Sequence, residues 1–139
     1  MSKDIHPAIL AAHHSWRCVQ ARAREQWLDL MAEDVTIEDP VGIGPTNPTG
    51  KGFRGKREAE EFWDRNLAPT QGVSITAHES FAAGNESAHV LTLTTTFPNG
   101  TKMSVHGIFT YTIDDAHKIK ALRGFWSMDA AKIEKPAAK

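Results

Sequence analysis

Two adjacent carboxylates, Glu38 and Asp39, stand in the segment TIEDPVG at residues 36–42, where a short β-branched run ends. Because the residue before a proline is held extended, both are expected at the end of a strand. Asp39 is then either a turn residue, since Asp favours turns, or a carboxylate that takes part in chemistry. Successive strand residues face opposite sides, so Glu38 is expected to be a solvated or interface charge.

The other residue types that carry chemistry form no cluster. Seven histidines suggest a metal site, yet His13 and His14 are adjacent and face different directions on a helix, and the others are scattered singly. No HxxxH or Cys/His spacing typical of zinc occurs, and GKGFRGK at 50–56 lacks the order of a phosphate-binding loop. We therefore expect no metal and no cofactor.

The elements that must position Asp39 follow from the periodicity of the apolar residues. Helical spacing over 5–31 predicts one long helix and a second short one, and KREAEEFWDRNLA at 56–68 predicts a third. DVTIED at 34–39 predicts a short strand, and the glycine- and proline-rich segment at 42–55 predicts a loop without regular structure. Alternating segments at 74–82, 86–97, 101–113 and 118–128 predict four more strands, and the tail at 130–139 is expected to be frayed.

Helices followed by antiparallel strands are typical of an α+β fold with the helices on one side of the sheet. A single domain is expected over 1–139, with its core at about 5–129. Trp16 and Trp27 fit the helical apolar stripe and are expected in that core. Strand alternation places two apolar rows inward: Met103, Val105, Gly107, Phe109, Tyr111 and Ile113, and Leu122, Gly124, Trp126 and Met128. A sheet curved around the helices would enclose an apolar hollow suited to a ligand.

Composition excludes several classes of protein. Hydrophobic residues make up 40% of the chain and charged residues 24%, which is ordinary for a globular protein. The formal charge of −1 provides no basic field for a nucleic acid, so none is expected as a partner. With a single cysteine, no signal-like segment and no apolar run of membrane-spanning length, a cytoplasmic protein is the expectation.

Several segments resemble bacterial ketosteroid isomerases: LMAEDVTIEDPVG at 30–42, EFW at 61–63, GNESAH at 84–89 and KIKALRGFW at 118–126. SWRCVQA at 15–21 is similar to a segment of steroid-isomerase-like proteins in the broader nuclear-transport-factor-like and SnoaL-like superfamily. The resemblance implies a cone-shaped α+β fold, in which a curved, mostly antiparallel sheet wraps around N-terminal helices and encloses one deep apolar pocket. It also implies a homodimer and a steroid or similar polycyclic ketone as the ligand.

The resemblance assigns roles residue by residue. Asp39 aligns with the general base that moves a proton between two carbons of the ketone. Ser15 and Phe109 fall where the isomerases have the tyrosine and the aspartic acid that hold the developing enolate oxygen, and Trp63 replaces a supporting tyrosine. With two donors replaced, a rate loss on the order of 10⁴- to 10⁶-fold is expected unless other donors serve.

Other substrate-binding residues are predicted from the inward rows. Leu91 and Trp126 match positions that line the pocket of the resembling family, and Leu122 lies on the same row as Trp126. Tyr111 offers a hydroxyl two residues beyond Phe109, and His89, on the face of Leu91, offers an imidazole. Each polar group has an alternative as a core residue with a protein partner.

Three functions stay open at this level. The first is a proton-transfer isomerase with Asp39 as its base. The second is a non-catalytic carrier of hydrophobic ligands, which the replaced oxyanion pair favours. The third is a cyclase, dehydratase or hydrolase of the same fold, which requires further polar groups such as His89 or Tyr111 to converge on Asp39.

Overall fold

A computed structural model describes residues 5–136 of the chain as helices packed against a curved sheet. The helices are α1 (Pro7–Ala21), α2 (Arg24–Asp29) and α3 (Gly55–Asn66). The strands are β1 (Met31–Glu38), β2 (Phe53–Arg54), β3 (Gly72–Ala83), β4 (Glu86–Thr96), β5 (Lys102–Ile113), β6 (Ile119–Phe125) and β7 (Lys132–Glu134). None of the helices within 5–136 is long and apolar enough to cross a membrane.

The sheet runs in the order β2-β1-β6-β5-β4-β3, and β7 pairs with the first residues of β5. Every pairing is antiparallel except that of β1 with β6, which confirms the prediction of a mostly antiparallel sheet. The α1 helix packs on β3, β4 and β5, whereas α3 packs on β1. The predicted α+β fold, with a curved sheet around the N-terminal helices, is therefore confirmed.

The break between α1 and α2 lies at Arg22, whose φ of 59° stops the first helix. The amide N–H of Arg22 donates to the Val19 carbonyl, and that of Ala23 donates to the Cys18 carbonyl. These two hydrogen bonds pair carbonyl groups at the end of α1 that have no partner within the helix. The short α2 then buries Trp27 against α3, where its ring lies 5.3 Å from that of Trp63. The prediction of a long helix and a short one over 5–31 is confirmed.

Three predictions of secondary structure need correction. The glycine-rich loop contains β2, because Phe53 and Arg54 pair with Ile37 and Thr36 of β1. The tail predicted to be frayed contains β7, paired with β5. The last long strand ends at Phe125 rather than Met128, because its pairing with β5 stops at Phe125, opposite Ile108.

Candidate active site

Asp39 follows directly on β1 and lies beside β6, where its carboxylate meets the indole of Trp126. The Trp126 Nε1–H donates to Asp39 Oδ1 at 2.6 Å, and the connecting peptide to Pro40 is cis. The parallel pairing of β1 with β6 sets this position, because Ile37 and Glu38 are in register with Leu122 and Arg123. Asp39 is therefore held by a residue that lies 87 positions away in the sequence.

Gly124 makes room for this carboxylate. A Cβ added to Gly124 would lie 2.8 Å from Asp39 Oδ1 and 2.7 Å from the ring of Phe109. These distances are below any ordinary van der Waals contact, so only glycine permits Asp39 and Phe109 to approach the strand from the same side. The sequence pattern placed Gly124 on the inward row but gave no sign of this role.

The loop after Asp39 is fixed by the buried amide of Asn47. Its Nδ2 donates to the carbonyls of Pro40 and Gly42, both at 3.0 Å, and its Oδ1 accepts from the Gly52 amide at 3.0 Å. Because one side chain forms hydrogen bonds with three backbone groups, the glycine-rich segment is held in one conformation without a helix or a long strand. Asn47 therefore sets the path of the loop that covers the Asp39 end of β1.

Asp39 borders an apolar cavity enclosed by the sheet, α1 and α3. The empty space in the cavity is about 780 Å³ when the solvent at its open mouth is included. Its walls are mostly aliphatic and aromatic side chains of β3, β4 and β5. The polar side chains among them are Ser15, Asp39, Thr46, Asn66, Thr95 and the hydroxyl of Tyr111.

Burial controls the protonation of Asp39. Protein surrounds the carboxyl group on all sides except the cavity, and this burial raises its pKa to about 6, against the ordinary 3.8. The hydrogen bond from Trp126 acts in the opposite direction because it stabilises the carboxylate. A base of this pKa is ionised at pH 7 and still holds a proton well enough to accept one from carbon.

The deep end of the cavity carries two hydroxyl groups, each of which accepts a hydrogen bond from an indole. Trp16 Nε1 donates to the Tyr111 hydroxyl at 2.9 Å, and Trp27 Nε1 donates to Ser15 Oγ at 3.2 Å. An indole N–H can only donate, so both hydroxyl protons remain free for other acceptors. Ser15 is also close enough to Tyr111 to lower the pKa of its phenol slightly.

Tyr111 stays protonated under these conditions. Its burial raises the pKa of the phenol, the negative charge of Asp39 raises it further, and the hydrogen bonds from Trp16 and Ser15 act against both. The phenol is therefore a donor throughout the range in which Asp39 ionises. The cavity thus combines a carboxylate base with a neutral hydroxyl donor.

The structure brings most of the predicted residues together. The predicted residues that line the cavity are Ser15, Asp39, Leu91, Phe109, Tyr111, Leu122 and Trp126. Trp16, predicted as a core residue only, also lines it and donates to Tyr111, a role that its place on the helical stripe did not indicate. Glu38 points away from the cavity and pairs with Arg123 at 2.9 Å, as expected of an interface or surface charge.

Two predicted substrate-binding residues lie behind the cavity wall. Trp63 packs against Trp27 in the core between α2 and α3 and is not among the lining residues. His89 is 1% exposed, its Nδ1 and Nε2 bond with the hydroxyls of Ser80 and Ser87, and burial lowers its pKa to about 4. Both ring nitrogens are thus occupied, so His89 is a neutral core residue rather than a cavity group.

His89 still contacts the residues that do line the cavity. Its ring meets that of Trp16 edge-on with centroids 4.8 Å apart, and that of Tyr111 at 5.6 Å. These contacts fix the indole that donates to the Tyr111 hydroxyl. Alternation along a strand shows only that His89 and Leu91 face the same side of the sheet. It does not show which of the two lines the cavity and which is buried behind the cavity wall.

Solved structures that resemble this one include steroid-binding proteins. A Delta 5-3-ketosteroid isomerase from Mycobacterium sp. is 45% identical over 94% of this chain and all of its own, with a TM-score of 0.89. A Mycobacterium tuberculosis protein in complex with estradiol-17beta-hemisuccinate is 42% identical over 92% of this chain and 99% of its own, with a TM-score of 0.87. A computationally designed 17-OHP binder is 40% identical over 94% of this chain and all of its own, with a TM-score of 0.89.

Comparison with curated protein sequences gives no match. Residues 12–122 match the SnoaL-like domain, a stretch that runs from α1 to β6 and includes Asp39 but not Trp126. This agrees with the ketosteroid-isomerase resemblance of the sequence and with the observed fold. The chain belongs to the SnoaL-like domain family.

Proposed function

We propose that this protein catalyses an intramolecular proton transfer on a steroid or similar polycyclic ketone, with Asp39 as the general base. The observation that carries this proposal is the desolvated Asp39 carboxylate, held by Trp126 at 2.6 Å in the wall of an apolar cavity that also presents the Tyr111 hydroxyl. Relatives at 40–45% identity include a ketosteroid isomerase and proteins that bind steroids.

The reaction uses one proton and needs no co-reactant. Asp39 removes a proton from the carbon next to the ketone, the C–H electron pair moves into the enolate, and Asp39 becomes the neutral acid. The same proton then returns to the carbon at the far end of the adjacent double bond, which gives the conjugated ketone and restores the carboxylate. Trp126 keeps one carboxylate oxygen in place during both steps.

The enolate oxygen needs a donor, and Tyr111 takes this role in the proposal. Phe109 has no donor, so the hydroxyl two residues beyond it on β5, supported by Ser15, replaces the missing pair. The N–H of Trp16 makes the phenol a stronger donor because hydrogen bonds in a chain polarise one another. A single donor of this kind contributes about 10² to 10³ in rate.

Turnover of a β,γ-unsaturated ketosteroid, followed by the absorbance of the conjugated product, tests the proposal. Asp39→Asn is expected to abolish turnover and to leave the affinity for a saturated analogue within about tenfold. The matched control is Glu38→Gln, since Glu38 is adjacent in the chain but pairs with Arg123 outside the cavity. Undiminished turnover in Asp39→Asn would refute the assignment of the base.

A non-catalytic carrier of steroids is the second candidate. Phe109 favours it, because a phenylalanine on the wall adds apolar contact and stabilises no enolate. Tight binding by the native chain, with no turnover of any unsaturated ketone, would support the carrier. The cyclase, dehydratase and hydrolase alternatives lack support from His89, whose ring nitrogens are occupied away from Asp39.

The expected homodimer and cytoplasmic location remain proposals. Exposed apolar residues on the outer face of the sheet, with Ile108 opposite Phe125 and Phe81 opposite Ala88, offer a surface for a second copy. Sedimentation of the native chain tests the dimer, and cell fractionation tests the location.

A further inference from the structure

The mouth of the cavity carries two polar side chains on different elements. Thr95 lies on the inward row near the end of β4, and Asn66 is the last residue of α3. The chain from α3 leads directly into β3, where the Gln71 amide donates to the Thr96 carbonyl at 2.7 Å. Thr95 and Asn66 therefore belong to the same end of the molecule, opposite the buried Tyr111.

The Thr95 hydroxyl has no partner within the described residues, although the outward threonines of the same strand do. Thr92 bonds with His106 at 2.9 Å, and Thr94 bonds with Ser104 at 2.8 Å. Around Thr95 the wall is apolar, with Val73 and Met103 in register on the neighbouring strands. A hydroxyl placed alone on such a wall is available to a ligand.

Asn66 offers an acceptor to the same region. Its Nδ2 donates to the Thr46 carbonyl at 3.2 Å, which fixes the orientation of the amide, and its Oδ1 accepts from no described residue. The Thr46 hydroxyl in turn donates to the Asp39 carbonyl. Hydrogen bonds through Thr46 therefore link the Asn66 amide, and with it the Asn66 oxygen, to the backbone of Asp39.

The two groups together select the chemistry of their ligand. A hydroxyl can donate to Asn66 Oδ1 and accept from Thr95 Oγ1, whereas a carboxylate would be repelled by the amide oxygen. Among residues 5–136, no lysine, arginine or histidine lines the cavity, so no described side chain there would balance a negatively charged ligand. An unsubstituted apolar ring would leave both groups unpaired when it displaced water.

We propose that the preferred substrate carries a hydroxyl group at the end opposite its ketone, recognised by Asn66 and Thr95. This inference rests on the proposed function, which places the ketone near Tyr111. Thr95 is in register with Met103, which lies eight residues from Tyr111 on β5, so the Thr95 and Tyr111 hydroxyls belong to different ends of the cavity. A rigid ligand of several fused rings with an oxygen at each end suits that arrangement.

A matched pair of ligands tests the proposal on the full chain. One is a conjugated steroid ketone with a hydroxyl on the ring farthest from its carbonyl, and the other is the same ketone without that hydroxyl. Isothermal titration is expected to show about 10-fold tighter binding of the hydroxylated ketone, the effect of one or two net hydrogen bonds.

Thr95→Val is the main variant, because valine keeps the shape and β-branching of threonine and removes only the hydroxyl. It is expected to reduce the preference about threefold or more while the affinity for the deoxy ketone stays unchanged or rises. Thr94→Val, one residue away on the outer face, is the control and should keep the native preference. Asn66→Leu is a second variant with the same expected loss of preference.

The outcomes separate this proposal from the function on which it rests. Equal affinities of the native chain for the two ketones, or an unchanged preference in Thr95→Val, would overturn the role of the mouth residues and leave the isomerase proposal standing. Failure of both ketones to bind would overturn the ketone-binding function as well. Loss of preference in Thr95→Val but not in Thr94→Val would establish the recognition.

Discussion

Replacing Asp39 with asparagine is expected to increase the stability of the fold at alkaline pH while it removes the proposed activity. The carboxylate is buried beside apolar side chains, and its only hydrogen bond among the described side chains comes from Trp126. A charge in such a place destabilises the native state, because the unfolded chain solvates it fully. Asparagine keeps the shape of the side chain and the acceptor for Trp126 but carries no charge.

The size of the effect follows from the two pKa values. The native pKa of Asp39 is about 6, against 3.8 for the ordinary carboxyl, which corresponds to about 3 kcal/mol of destabilisation at pH 8. Because the native pKa is raised, the contribution of Asp39 to stability is greatest below 3.8 and is lost as pH rises through 6. At pH 5 the destabilisation is about 2 kcal/mol, so the change from pH 5 to pH 8 is about 1 kcal/mol, and water in the cavity would reduce it.

Denaturant unfolding of the native chain and of Asp39→Asn at both pH values measures this difference. The free energy of unfolding of the variant, relative to the native chain, is expected to rise by about 1 kcal/mol between pH 5 and pH 8. Protonation of His89 affects both proteins alike and cancels in the comparison. A Glu38→Gln control should show little pH dependence, since its ion pair with Arg123 is partly exposed. Equal differences at the two pH values would refute the desolvation of Asp39.

Four further experiments probe the same site. Tyr111→Phe is expected to lower kcat about 10²- to 10³-fold with ligand affinity within tenfold, and an unchanged kcat would exclude Tyr111 as the enolate donor. Gly124→Ala should displace the carboxylate, lowering both kcat and the free energy of unfolding, the latter by about 1–3 kcal/mol; a variant with native kinetics would contradict the close approach seen at Gly124. Trp126→Phe removes the hydrogen bond that lowers the pKa of Asp39, so the acidic limb of the pH–rate profile should move to higher pH, and a profile that stays in place would argue against that bond. In the native chain kcat/KM should rise with pH through about 6 as Asp39 ionises, whereas a flat profile between pH 5 and pH 8 would argue against a carboxylate base.

Local patterns in the sequence place Asp39 at the end of a strand and predict the elements around it, whereas its role as a base was predicted from the resemblance to ketosteroid isomerases. A β-branched run that ends at a carboxylate before proline places Asp39 at the end of a strand, and helical and alternating periods locate α1, α3 and the long strands. These features depend on backbone preferences and on the burial of one face, both of which act over a few residues. The short strands β2 and β7 were missed because pairing with β1 and β5, rather than their own composition, makes them strands.

Tertiary structure alone decides what Asp39 and Tyr111 can do. The hydrogen bond from Trp126 to Asp39 spans 87 positions and that from Trp16 to Tyr111 spans 95, so neither follows from any local pattern. The raised pKa of Asp39 likewise depends on burial by distant side chains, and the space for its carboxylate depends on the missing Cβ of Gly124. The sequence by itself indicated Asp39 as the candidate base and predicted that the fold would surround a cavity. Desolvation and strand register, which are properties of the folded chain as a whole, decided that Trp63 and His89 support the wall while Trp16 and Trp126 orient the polar groups within it.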